Sequence, residues 1–220
     1  MEIIDLSHII YNGMPKSPIL PDVMIKPFIK HEETKELYQG CSIEVLLLTL
    51  SDHTGTYVDA PYHFDPDGKT IDELELSRFI CGGNVLDVRR KAKAGKYITA
   101  DDLDKTGEVR ENQATLICTG WDKYWETRQY YAHPFLSKDA AEWLVKRKST
   151  LIGVDCLMID NPKDLTRPVH VTLLKQNRIP IVENLCNLHL LIGKNFELVA
   201  LPLKIKRGTG SPIRAVAVVR

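Results

Sequence analysis

The chain has no surplus of charge of either sign: 29 Lys and Arg stand against 29 Asp and Glu in 220 residues. A protein that grips nucleic acid concentrates basic residues on one face. Here the densest basic stretch, Lys204-Ile205-Lys206-Arg207, is short, so no nucleic-acid partner is expected. There is no C-x-x-C pair. The cysteines, Cys41, Cys81, Cys118, Cys156 and Cys186, are odd in number and scattered, which argues against a disulfide framework and a thiolate zinc site and leaves most of them as small buried hydrophobes. No apolar run reaches the ~18 residues that read as a membrane span. The first residues, Met1 to Asp5, are acidic early and lack the basic start of a secretory leader, so a cytoplasmic setting is expected. No linker, low-complexity tract or repeat interrupts the chain, and residues 1–220 read as one domain.

Short apolar runs dominate what is present. Ile43 to Leu50, Gly83 to Val88 and Ala114 to Cys118 read as buried strands, and Thr150 to Val154 and Ile213 to Val219 as further strands. Ile179 to Val182 and Leu198 to Leu203 contain proline, which suits strand ends or edges. Helices are fewer. Thr99 can cap a short one with Asp101 and Asp102 in its first turn. Ser137 can cap a second whose face carries Ala140, Ala141, Leu144 and Val145, and Pro168 suits the first position of a third, reaching about Gln176. Strands outnumber helices and do not alternate with them regularly, which predicts a mixed α/β domain rather than a doubly wound sheet.

The segment His53-Thr54-Gly55-Thr56-Tyr57-Val58-Asp59-Ala60-Pro61-Tyr62-His63-Phe64 concentrates groups that bind a metal or move a proton: His53, Asp59 and His63, with Tyr57 between them. Gly55, Pro61 and the β-branched Thr54, Thr56 and Val58 oppose a helix. An extended path puts residues 53, 57, 59 and 63 on one face. A straight strand would hold positions 53 and 59 up to ~20 Å apart, far more than one ion can span. The chain must therefore bend if both ligate one ion, with Gly55 and Pro61 as the natural hinges.

This segment resembles the H-x-G-T-H-x-D-x-P-x-H-F signature of the cyclase-like metal hydrolase family, which includes bacterial kynurenine formamidase and isatin hydrolase. It matches at His53, Gly55, Thr56, Asp59, Pro61, His63 and Phe64 and departs at Tyr57, where the family has His. Further stretches match in the same order: Ile4 to His8, Asn12 to Pro15, Thr119-Gly120-Trp121, His133 to Ser137, Gly153-Val154-Asp155 with Ile159-Asp160, His170, Ile179 to Leu185, and Gly210 to Ala215. The resemblance implies a swivelling β/β/α single domain, with a central mixed sheet or barrel-like core flanked by helices. It also implies a homodimer or homotetramer. Residue by residue it implies metal ligands at His53, Tyr57, Asp59, His170 and Glu183, and a catalytic acid/base at His63. The stretch Pro18 to Asp22, which departs from the family's P-G-D-P turn, corresponds to a part that shapes the substrate pocket.

Imidazoles and carboxylates without thiolate suit Zn2+ or Mn2+. With a phenol in place of one imidazole, one ion per chain is expected ahead of two, and two ahead of none; Tyr57 would ligate as a phenolate or turn aside. The expected activity is hydrolysis of a small amide or lactone, aryl formamides included, by metal-activated water. The alternatives are a metal-dependent cyclase or lyase, and a non-catalytic small-molecule binder. Asn184 and Gln39 are candidate substrate contacts, while Asp155 and Asp160 either orient ligands or cap turns. Trp121, Trp125 and Trp143 are expected in the core or an interface, and His8, His31, His133 and His189 in structural or exposed positions.

Overall fold

The computed structural model describes residues 1–220. Nine strands form one sheet: β1 (Glu2–Asp5), β2 (Tyr57–Asp59), β3 (Ile80–Asp87), β4 (Ala114–Cys118), β5 (Leu151–Val154), β6 (Ile181–Glu183), β7 (Phe196–Val199), β8 (Gly210–Pro212) and β9 (Val216–Val219). Their order is β1-β9-β7-β3-β4-β5-β6-β2-β8. The four central strands, β3-β4-β5-β6, run parallel, and antiparallel strands flank them on both sides. The sheet curls into a half-barrel, and the mixed α/β expectation holds.

The parallel centre explains the unbroken apolar runs. Both faces are covered, so successive residues must be apolar although they point opposite ways. Leu116 and Cys118 of β4 pack with Val58, Phe79 and Leu185 on one face. Ile117 packs on the other with Leu86, Ile152 and Leu144. Helix α1 (Ala100–Asp104) is capped by Thr99, whose hydroxyl accepts from the Asp102 N–H while the Asp102 carboxylate accepts from Thr99 N–H. Helix α2 (Lys138–Lys146) starts after Ser137, but the Ser137 hydroxyl donates to Ile98 O instead of capping. Helix α3 starts at Pro168, runs as an α-turn to His170 and widens into a π-helix over Val171–Gln176. No helix is long and apolar enough to cross a membrane.

One strand departs from expectation. Val45–Thr49 pairs only with Met24–Ile29, in a separate two-stranded hairpin, and every one of its residues is exposed. Its apolar side chains find no partner surface within the chain. Pro180 stands just before β6, at a strand end as expected, yet β6 itself lies inside the sheet between β5 and β2. Three cysteines are buried, and Cys41 is exposed. Trp121 and Trp125 lie in the core, whereas Trp143 is half-buried and donates to Asp104.

Candidate metal centre

The two bends expected in the 53–64 segment are present. Gly55 adopts φ +67°, a left-handed turn that glycine enters without steric penalty. Pro61 opens a 3-10 turn, Pro61–His63. Between them β2 alternates: Val58 enters the core while Tyr57 and Asp59 face a cleft. Antiparallel pairing with β6 sets Glu183 directly opposite Tyr57. The Tyr57 hydroxyl donates to Glu183 Oε2 in a very short hydrogen bond. The α-turn at the start of α3 delivers His170 from the other side.

The candidate ligands form two overlapping triads that share Asp59. One is His53, Asp59 and His63; the other is Asp59, His170 and Glu183, with donor atoms in each within 4.8 Å of one another. His53 Nδ1 stands 2.8 Å from Asp59 Oδ1. His170 Nε2 stands 3.7 Å from Asp59 Oδ2 and 3.5 Å from Glu183 Oε1. Both Asp59 oxygens are buried, and beyond the close approach of His53 Nδ1 to Oδ1 neither meets a hydrogen-bond donor. A buried carboxylate in that condition is strongly disfavoured unless a cation meets it. The donor set therefore fits a metal ion: a buried carboxylate at the centre, a second buried carboxylate beside it and imidazoles approaching both oxygens of Asp59.

Both inner histidines are oriented from behind. His170 Nδ1 lies 2.6 Å from Asp160 Oδ2, and Asp160 also accepts from the N–H groups of Val169 and His170. A proton on Nδ1 leaves the Nε2 lone pair facing Asp59 and Glu183, the arrangement that fixes a metal-binding tautomer. His53 Nε2 lies 2.8 Å from Thr209 Oγ1, whose hydroxyl donates to Asp52 Oδ2 at 2.7 Å. That chain leaves His53 Nδ1 to face Asp59. Gly210 completes the seat, since a Cβ there would come within 2.9 Å of the His53 ring and 2.6 Å of Val58 O.

The electrostatics follow from burial and crowding. Burial acts to raise the Asp59 carboxyl, but the surrounding imidazoles, His53 foremost, hold it below its ordinary value. Burial and then the Asp59 charge push Glu183 up to about 7, against His170 and Tyr57. Burial, with Glu183 and Asp59 beside it, keeps the Tyr57 phenol neutral far above its ordinary value. Burial acts to lower His170 and His53, yet Asp160 beside the first and Asp59 beside the second raise both. His63 is lowered to about 4, first by desolvation and then, against Asp59, by the neighbouring His53 and His170. Its side chain is nevertheless exposed at the cleft mouth, which softens the desolvation. On either account its imidazole is neutral at pH 7.

Asn184, expected as a substrate contact, is a buried brace instead. At φ +56° it accepts from Tyr130 Oη, donates to Gly55 O, and its carbonyl accepts from Thr56 Oγ1. It thus joins the bend before β2 to the end of β6. Gln39 lies exposed in the hairpin turn and lines no part of the cleft. Asp155 does not reach the cluster; it accepts from Thr119 N–H and Oγ1 and from Gly120 N–H, holding the T-G-W turn. The parts played by Asp52, Thr209, Gly210 and Arg167 have no local sequence signal; Asp160, ten residues before His170, is the one supporting group that the sequence offers.

The cleft holds about 180 Å³ and is walled by Ser17, Ile19, Leu20, Phe64, Met158 and Arg167 around the polar cluster. The stretch Pro18 to Asp22 thus contributes to the pocket. Phe64 stacks on His170 with ring centres 4.6 Å apart.

The Cyclase family profile matches residues 4–161. The chain is 35% identical to kynurenine formamidase of Bacillus anthracis over 175 residues, 80% of each chain. It is 34% identical to the Bacillus cytotoxicus kynurenine formamidase over 184 residues, 83% of each. An isatin hydrolase bound to the product analogue thioisatinate superposes with a TM-score of 0.87 at 26% identity, covering 100% of this chain and 93% of that one. Isatin hydrolase A from Ralstonia solanacearum shares the fold, with a TM-score of 0.87 at 23% identity over 100% of this chain and 92% of its own. The chain belongs to the Cyclase family and is a hydrolase.

Proposed function

We propose that the protein hydrolyses a small amide, with an aryl formamide as the first candidate and cyclic imides or lactones after it. The observation that carries this is Asp59: a buried carboxylate met by no donor beyond His53 Nδ1, encircled by His53, His170 and Glu183 with His63 at the mouth. His53 through Nδ1, His170 through Nε2, Asp59 and Glu183 would hold one Zn2+ or Mn2+, the mixed N/O donor set these ions accept. When bound, such an ion polarises a carbonyl and brings the pKa of a water towards neutrality.

The side chains supply the rest. His63, neutral and open to the cleft, takes a proton from the attacking water and returns it to the leaving nitrogen. Asp160 and the Thr209–Asp52 pair keep the two inner imidazoles in the tautomer that presents a lone pair. Tyr57, the departure from the family signature, acts through Glu183: its phenol donates to Oε2 and occupies that oxygen, leaving Oε1 as the one that faces His170. Ile159 N–H donates to that other oxygen, Oε1, at 2.7 Å and fixes the carboxylate plane. Ligation by Tyr57 itself would require a phenolate and would show as a phenolate absorption band on metal addition. The five unpaired cysteines suit a reducing, cytoplasmic location. The exposed apolar hairpin suits a homodimer or homotetramer.

Metal content by elemental mass spectrometry, followed by turnover of formanilide, tests the reading. One equivalent of zinc or manganese with formate release supports it; a chain that takes up neither ion overturns it. His63→Ala should lower kcat by about 10²–10⁴-fold and keep its metal. Loss of metal from a folded His63→Ala protein would make His63 a ligand instead.

A further inference from the structure

Arg167 is the one Lys or Arg side chain in the cleft wall. Its Nη1 donates to Asn161 O at 2.9 Å and to Met158 Sδ at 3.4 Å, both neutral. The guanidinium has five donors in a planar fork, so Nε and Nη2 keep three that these bonds do not use. The acid nearest in sequence, Asp164, already accepts from the N–H and hydroxyl of Thr166. A half-buried cation is thus held in orientation by neutral groups; the Asp164 carboxylate feels its charge, but no carboxylate of this chain forms an ion pair with it.

The backbone adds a second observation. Arg167 sits at φ 47°, ψ 55°, a left-handed conformation that side-chain-bearing residues seldom adopt, immediately before Pro168 and three residues before His170. Such conformations persist where the surroundings over-determine them, often beside binding sites. Here the turn carries the guanidinium and His170 into the same cleft. In the same cleft, Ile19, Leu20, Phe64 and Met158 offer apolar surface suited to a flat ring.

We propose that Arg167 is a specificity residue, pairing with a carboxylate on the substrate, so that the preferred amides are anionic aryl amides. The carboxylate would take the two free N–H groups of the fork edge, a geometry that favours arginine over lysine. The apolar wall takes the ring, and the amide lies toward His63. This rests on the amide-hydrolase reading for its choice of substrate, and on the cleft alone for its choice of charge.

The experiment compares 2-formamidobenzoate with formanilide, which differ by one carboxylate, in the wild-type protein, Arg167→Gln and Arg167→Lys, each assayed for metal content. The wild type should prefer the anionic amide. Arg167→Gln should lower its kcat/KM by about 10–100-fold, as expected for loss of a charge-assisted hydrogen bond, with a clearly smaller fall for formanilide. Arg167→Lys should recover part of the preference. An equal fall for both substrates, or no fall for either, overturns the proposal. If the wild type cleaves neither amide, calorimetry with benzoate and benzamide decides. Benzoate binding that Arg167→Gln abolishes upholds the specificity role while the formamide reading fails. Benzoate binding that survives the substitution, or a wild type that binds benzoate no better than benzamide, removes both.

Discussion

Two β segments of this chain reverse the usual relation between composition and burial. In β2 and its flanks, residues 53 to 60, every side chain is buried although the segment is rich in polar groups. In Val45–Thr49, a far more apolar run, every side chain is exposed. Hydrophobicity drives burial only where a complementary surface exists. β2 has neighbours on both sides, β6 and β8, and a layer beneath it. The hairpin strand has one neighbour and no layer. What buries His53 and Asp59 is sheet topology, and their polarity is tolerated because the cluster can be satisfied collectively.

The sharpest way to break that account is to remove the charge at its centre. Asp59→Asn keeps the volume and the β2–β6 register but offers a neutral amide to four inward-facing groups. We expect metal content to fall below a tenth of an equivalent and turnover by more than about 10³-fold, with the far-ultraviolet spectrum unchanged. Full metal occupancy in Asp59→Asn would show that Asp59 is not the shared donor.

Gly210→Ala is the next effect in size. Gly210 pairs with Asp59 across β8 and β2, so its added methyl would press on His53 and Val58 O. We expect a 10–100-fold loss of metal affinity, the range for disturbing a ligand's supporting contacts. Unchanged affinity, measured by competition with a chromogenic chelator, would mean that His53 is free to shift without consequence.

These two residues also show what was legible in the sequence. His53, Asp59 and His63 lie within one short segment whose composition forbids a helix, so their convergence and its hinges followed from local rules. His170 and Glu183 entered only through family resemblance, since no spacing links them to residue 59. Asp52, Thr209 and Gly210 escaped because the contact between Thr209 and His53 spans 156 residues and exists only once β8 pairs with β2. Asn184 was noticed for its chemistry, but its role depends on Gly55 and Tyr130, 129 and 54 residues away. The parallel core strands were readable from unbroken apolar runs. The same rule predicts burial for Ile43 to Leu50, because it does not say whether a covering surface exists in the chain.

A third contrast lies among the histidines. His53 and His170 face carboxylates, whereas His8 stacks on Trp125 with ring centres 3.8 Å apart and its Nε2 buried without a partner. Burial lowers His8 to about 4, although Asp122 and Glu126 pull upward. The folded pKa is thus below the unfolded value of 6.5. Its contribution is fully present above that value and is lost as pH falls from about 6.5 toward 4. Urea unfolding should show the wild type losing about 1–2 kcal/mol more than His8→Phe between pH 7 and pH 5. Parallel loss in both proteins would place the acid sensitivity elsewhere.

The smallest effect per chain belongs to the hairpin, and it returns to the opening contrast. Leu116→Ala, in the core, should cost about 2–5 kcal/mol. Leu46→Lys with Leu48→Lys, at positions 46% and 53% exposed, should change the stability of an isolated chain by only about 0.5 kcal/mol per site. The same pair should abolish any dependence of Tm on protein concentration and halve the mass seen by light scattering, because a subunit interface stabilises by mass action. If the mass and the concentration dependence are the same in both proteins, the hairpin is not where copies of this chain meet. Its apolar side chains would then have to be explained by the single chain, as an exposed sheet face that folding alone leaves uncovered.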